Sequence, residues 1–209
     1  MVTATSGFGK VAAAATVATV LDRFDPSHVV FGGVAGGVGQ DVDIGDIVIA
    51  DRLLQYDFDA SPLFDRFVIP SLGIAEIAAD QELTDRIAAA AGSYLNGRFK
   101  TEVLDSDQTV FDASDVSIHR GQIASGDRFV DSVAEARTLI GDLPHLLAVE
   151  MEGAAVAQVC AERDVPFGVF RSISDRADRH ADVDFLAFIA AVAAPVTAGL
   201  VGELLRELG

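Results

Sequence analysis

Three acidic side chains carry most of the chemical promise in this chain. Glu150-Met151-Glu152 is followed, 23 residues after Glu152, by Asp175 at the end of Arg171-Ser172-Ile173-Ser174-Asp175. Carboxyl groups gathered in one crevice can act as general acids or bases or stabilise developing charge. Each also has a plain structural reading. Acids at a helix start usually just complement the macrodipole, and Asp175 could be an N-cap or a turn residue.

The elements around these residues decide between the two readings. Leu146 to Glu150 (LLAVE) predicts a short buried strand, Glu152 to Arg163 a helix, and Pro166 to Ile173 (PFGVFRSI) the next strand. If the two strands of this βαβ unit are parallel, Glu150, Glu152 and Asp175 all lie at carboxyl ends, the edge where open α/β sheets bind ligands. Upstream, Val11 to Leu21 predicts a helix reached through the glycines of Thr5-Ser6-Gly7-Phe8-Gly9-Lys10, which permit a sharp turn. His28 to Gly32 and Ile47 to Ala50 predict strands, Leu83 to Leu95 an amphipathic helix, Arg120 to Ser125 a strand and Ala134 to Ile140 a short helix. The alternation argues one α/β domain, residues 1–209, with a mostly parallel mixed sheet and helices on both faces.

Two stretches resist this pattern. Gly32-Gly33-Val34-Ala35-Gly36-Gly37 could be an anion cradle at a helix start or merely a tight turn, but it lacks the spacing of a dinucleotide fingerprint and the P-loop lysine. Leu53 to Leu72 has no periodicity yet holds Tyr56, Phe58, Phe64, Phe67 and two prolines, so it predicts a long functional loop or an interface segment.

Composition narrows the function classes. Half of the 209 residues are apolar, enough for the core of one ordinary domain. Cys160 is alone in an apolar helical pattern, which excludes a disulfide framework and points to a reducing cytoplasm. A net charge of −17, from 23 Asp and 9 Glu against 13 Arg and 2 Lys, repels phosphate backbones and acidic membrane surfaces, so neither nucleic acid nor membrane is an expected partner. No basic-then-apolar signal opens the sequence. The longest apolar stretch, Phe185 to Val201, is Ala-rich and interrupted by Pro195, so it predicts a packed C-terminal helix continued by Leu204, Leu205 and Leu208.

Taken in order, Ser6-Gly7-Phe8-Gly9-Lys10, Val34-Ala35-Gly36-Gly37, Ile44-Gly45-Asp46-Ile47-Val48, Ser125-Gly126-Asp127, Ala148-Val149-Glu150-Met151-Glu152-Gly153-Ala154-Ala155 and Arg171-Ser172-Ile173-Ser174-Asp175 resemble the motifs of the purine nucleoside phosphorylase and nucleosidase superfamily. They are most similar to its methylthioadenosine/S-adenosylhomocysteine nucleosidase branch. The resemblance implies a three-layer α/β/α fold with a central, mostly parallel, mixed and twisted sheet. It also implies a cytoplasmic homodimer working in methionine salvage, and hydrolysis of the bond between adenine and a 5′-thio-substituted ribose with no metal or organic cofactor.

The same resemblance implies the site. Asp175 would be the general acid at purine N7, with Glu150 and Arg171 on the water side of the ribose. Glu152 would accept from the ribose diol, Met151 pack on the sugar, Phe129 stack on the purine and the Val130 backbone meet its edge. Ser174, Ala35 and Gly36 would complete the binding surface, Phe185 cover the 5′-substituent, and Phe64, Phe67 and Pro70 close the pocket from the partner subunit. Two departures stand out. Family members carry a further strand and helix ahead of Val2-Thr3-Ala4-Thr5, with a glutamate that activates water, so the chain as given is expected to hydrolyse slowly. Val34 stands where many nucleosidases have serine. A futalosine hydrolase, a phosphorylase, or a catalytically weak nucleoside-binding relative are the alternatives.

Overall fold

A computed structural model describes residues 1–103, 107, 115–176 and 185–208. Six strands form one sheet in the order β3-β2-β4-β5-β1-β6, where β1 is Val29–Gly37, β2 Ile47–Gln55, β3 Ile77–Ala78, β4 Ile118–Ser125, β5 Leu146–Glu150 and β6 Phe167–Asp175. The long ladders β1–β6, β2–β4 and β4–β5 are parallel. The short ones, β1–β5, β2–β3 and β2–β6, are antiparallel. Because Ile47, Val48 and Ile49 of β2 also pair with Ser172, Arg171 and Phe170 of β6, the sheet closes on itself instead of staying open.

Helices cover both faces, as the alternating pattern requires. α1 (Lys10–Phe24) and α5 (Gly153–Glu162) pack Ala13, Val17, Ala157 and Cys160 against Val48, Ile123, Val169 and Ile173. On the other side α2 (Gln81–Asn96) and the C-terminal helical run enclose Ile47, Ile49, Ile87, Tyr94 and Phe170. α2 begins where Asp80 accepts from the Leu83 amide at 2.8 Å, and α4 (Val133–Asp142) where Ser132 accepts from the Glu135 amide at 3.3 Å, both ordinary N-caps. A short α3 (Phe99–Glu102) and the two-residue β3 are too brief to leave a periodic signal.

The C-terminal run comprises α6 (Phe185–Phe188), a π-helical turn (Ile189–Ala193) and α7 (Ala194–Leu208). Pro195 has no amide to donate, and the ladder widens just before it, Ala194 N–H reaching the Ile189 carbonyl. Phe185–Glu207 is long and apolar enough to cross a membrane by length and composition. Here it presents Phe188, Val192, Val196, Leu200 and Leu204 to the core.

Three expectations need correction. β1 runs on through Gly37, so the glycine run is strand, neither anion cradle nor turn. Its glycines serve close packing: a Cβ on Gly32 would lie 2.5 Å from the Phe170 ring. β2 continues to Gln55, which shortens the irregular segment; its Leu53 and Leu54 are fully buried strand residues. Finally, β5 and β6 are not neighbouring parallel strands. β1 lies between them, parallel to β6 and antiparallel to β5.

Candidate active site

The interposed β1 is what gathers the acids. Gly36 pairs with Val149 near the end of β5 and with Asp175 at the end of β6. The carboxyl ends of three strands therefore meet at one glycine, by a route that does not need β5 and β6 to be adjacent. The β1–β6 register slips between Ala35 and Gly36, leaving Ser174 as the extra residue, a bulge that re-aims the strand end. Ser174 Oγ lies 2.8 Å from Asp175 Oδ2 and 3.3 Å from the Ala35 carbonyl oxygen, with one proton to give to either.

A cavity opens at this junction. It is lined by Val34, Ala35 and Gly36 of β1, Val130 and Phe129 of the β4–α4 loop, Glu150, Met151 and Glu152 of the β5–α5 turn, Ser174 and Asp175 of β6, and Phe185 of α6. Every residue assigned from the sequence to acid catalysis or substrate binding thus shares one cavity. Phe129 and Phe185 meet edge to face, ring centroids 5.8 Å apart, on its rim. Asp175 is only 6% exposed. Val183 and Asp184, quoted with Phe185 in the sequence, lie outside the described residues.

Glu150 lines the same cavity and is paired with Arg171. Arg171 is 1% exposed and does not line the cavity. Its Nη2 and Nε donate to Glu150 Oε2 at 2.5 and 3.2 Å, and Nη1 donates to the Phe31 and Phe170 carbonyls. The guanidinium lies 4.4 Å from the Phe31 ring centre. Glu150 also accepts from Ser125 Oγ, from the Glu152 amide and, with both oxygens, from the Gly153 amide. It thereby serves as the anionic cap of α5, and its carboxylate is saturated.

Glu152 does the reverse. It precedes α5 but its side chain caps nothing there; Oε1 instead accepts from the Gly9 amide, 2.8 Å away, ahead of α1. Burial, with the nearby Glu150 charge adding to it, raises its pKa above the usual carboxylate range, against the hydrogen bond from Gly9.

Phe8 and Arg128 also line the cavity and were missed. Phe8 is 82% exposed at the mouth; an aromatic flanked by two glycines just before a helix was a signal that could have found it. Arg128 pairs with Glu135 at 3.0 Å. Phe64 and Pro70 are exposed, while Phe67 packs against the core cluster that includes Leu54, Tyr56 and Val130, with φ 71, a backbone angle unusual for an aromatic. None of the three lines the cavity of its own chain. Among the described residues no group of three or more His, Cys, Asp or Glu side chains could hold a metal ion.

The chain is similar in sequence and fold to known proteins. The family model described as the phosphorylase superfamily matches residues 1–206. The 5′-methylthioadenosine/S-adenosylhomocysteine nucleosidase of Staphylococcus haemolyticus is 32% identical over 204 residues, covering 97% of this chain and 80% of that one. Among solved structures, the enzyme of that name from Neisseria meningitidis, in complex with methylthio-immucillin-A, superposes with a TM-score of 0.82 at 32% identity, covering 97% of this chain and 79% of that one. A futalosine hydrolase of Helicobacter pylori gives a TM-score of 0.76 at 33% identity, covering 97% of this chain and 77% of that one.

Proposed function

The chain belongs to the phosphorylase superfamily, and from that premise we propose that it is a nucleosidase, splitting 5′-methylthioadenosine or S-adenosylhomocysteine with water to release adenine. The observation that carries this reading is the meeting of strand ends at Gly36, which sets Asp175, Glu152 and an aromatic rim around one cavity. Relatives and structural neighbours named for this activity support it.

In the reaction the C1′–N9 bond breaks, the purine leaves with the electron pair, and water oxygen bonds to C1′ and loses a proton to solvent, from which Asp175 recovers the one it gives to the base. Asp175 delivers a proton to N7 of the departing base, which would otherwise leave as an anion. Glu152, ionised, accepts from the two ribose hydroxyls, and such charge-assisted bonds are strong. Met151 packs on the sugar, Phe129 stacks on the purine and the Val130 backbone meets its edge. Phe185 and Phe8 flank the 5′-substituent at the mouth. Glu150 and Arg171 act as positioning residues: their buried pair fixes the β5–α5 turn that carries Met151 and Glu152.

Water rather than phosphate fits this cavity. Val34 offers no polar group, Arg171 is committed to Glu150, and Arg128 is paired with Glu135. Leu63 and Phe64, both exposed, support a symmetric dimer in which Phe64, Phe67 and Pro70 close the partner's pocket. The buried lone Cys160, its thiol pushed up to about 12 by burial, suits a reducing cytoplasm, where the reaction would serve methionine salvage.

A base-release assay tests the reading. Methylthioadenosine and S-adenosylhomocysteine should yield adenine at rates independent of phosphate. Release only with phosphate would mean phosphorolysis, and release only from futalosine would favour the second reading, which the Helicobacter pylori likeness supports. Sedimentation at micromolar concentration should show a dimer; a fully active monomer removes the shared pocket.

A further inference from the structure

Glu152 stands between two helix starts. At the start of α5 the Gly153 amide donates to Glu150 and the Ala154 amide to Ser125 Oγ, which leaves Glu152 to the Gly9 amide ahead of α1. What aims that amide is a set of polar contacts outside the cavity. Gly9, at φ 87, adopts a backbone angle that favours glycine, and it makes no side-chain cap. The capping acceptor comes instead from a loop more than a hundred residues away: Asp127 Oδ1 accepts from the Lys10 amide at 3.0 Å.

Asp57, just past β2, completes the arrangement. Its Oδ1 lies 2.5 Å from Lys10 Nζ, and its Oδ2 accepts from the Asp127 amide at 2.8 Å. Lys10 Nζ is also 3.9 Å from Asp127 Oδ2. Next to Asp57, the Tyr56 ring packs so closely on Gly126 that a Cβ there would lie 2.2 Å from it, and the Tyr56 hydroxyl donates to the Arg128 carbonyl at 3.2 Å. Three segments distant in sequence are tied together beside the cavity, and Lys10 is only 15% exposed on its side chain.

We propose that Lys10, Asp57 and Asp127 form a positioning clasp for Glu152: by holding the first turn of α1 against the β4–α4 loop, they aim the Gly9 amide at one carboxylate oxygen and leave the other turned to the ribose diol. This rests on the nucleosidase reading of the site. Lys10, Asp57 and Asp127 act through Glu152 and never touch substrate. Loosening the clasp lets the carboxylate swing, and contacts to the diol weaken while those to the base persist.

The test uses the full chain with methylthioadenosine and its 2′-deoxy analogue. Asp127→Ala and Lys10→Met should each lower the riboside-to-deoxyriboside ratio of kcat/KM by about fivefold or more, the scale of one charge-assisted hydrogen bond, with deoxyriboside kinetics within about twofold of the parent. In a Glu152→Gln background the same substitutions should change the ratio no further, since coupled residues are non-additive. Lys10→Arg should restore most of it. Equal losses on both substrates, an unchanged ratio in a folded variant, or additivity with Glu152→Gln overturns the clasp. Should Asp127→Ala fail to fold, Asp57→Asn supplies the measurement. A parent chain that neither cleaves nor binds methylthioadenosine overturns the nucleosidase reading and the clasp with it, whereas normal cleavage with an unmoved ratio sinks the clasp alone.

Discussion

Around Glu150 the structure gathers an arginine, a serine hydroxyl and two backbone amides, whereas around Glu152, two residues on, it places one amide and an open cavity. The residue type is the same, and so is the nominal position at a helix start. What differs is supply of donors. The Glu152 and Gly153 amides go to Glu150 and the Ala154 amide to Ser125 Oγ, so Glu152 keeps unspent acceptor capacity facing the cavity. A saturated carboxylate builds the site; an unsaturated one can bind substrate.

The sharpest way to break that comparison is at the cavity's acid. Asp175→Asn should lower turnover by about 10² to 10⁴-fold, the usual worth of general acid catalysis, with the unfolding midpoint close to that of the parent. Near-normal turnover would remove Asp175 from the chemistry. On the saturated side, Arg171→Met leaves Glu150 buried and uncompensated, which should destabilise the fold by about 3–5 kcal/mol in urea titrations. The paired change Glu150→Gln with Arg171→Met should recover part of that loss. A cost below about 1 kcal/mol would mean the pair holds nothing in place.

Glu152→Gln should act oppositely on binding and stability. Loss of the charge should weaken ribosides by about tenfold or more and 2′-deoxyribosides much less. For stability the sign follows from burial: the folded-state pKa of Glu152 is raised above its unfolded value, chiefly by desolvation. Its favourable contribution is complete below the unfolded pKa, about 4.3, and is lost as pH rises through the folded pKa. At neutral pH the ionised group is therefore a burden, and Glu152→Gln should leave the thermal midpoint unchanged or higher. The acid limb of riboside KM should lie above the ordinary glutamate range and flatten in Glu152→Gln. A lowered midpoint at neutral pH would place Glu152 with Glu150 as a structural acid.

The smallest effect is expected at Tyr56, whose phenol is pushed up to about 12, by burial first and then by Asp57, and so stays a neutral donor to the Arg128 carbonyl. Tyr56→Phe should cost about 0.5–1.5 kcal/mol in unfolding experiments and raise KM with little change in kcat, because it loosens the loop that carries Phe129. A fall in kcat alone would place Tyr56 closer to the chemistry than its contacts do.

Much of this was legible before any coordinates. The alternation of apolar runs with Ala-rich helices required an α/β domain, because that signal is local and periodic. Acids at predicted strand ends marked the candidate site, and the ordered motifs identified the superfamily. Other features depend on partners far off in sequence, and only the tertiary structure decided them. Gly32 is a strand residue because Phe170 lies across it, and no local pattern shows a cross-strand neighbour. The acids converge because Gly36 pairs with two strands at once. Which glutamate is saturated and which keeps acceptor capacity depends on where Ser125, Arg171 and Gly9 deliver their donors, and a hydrogen bond's direction is a property of the folded chain.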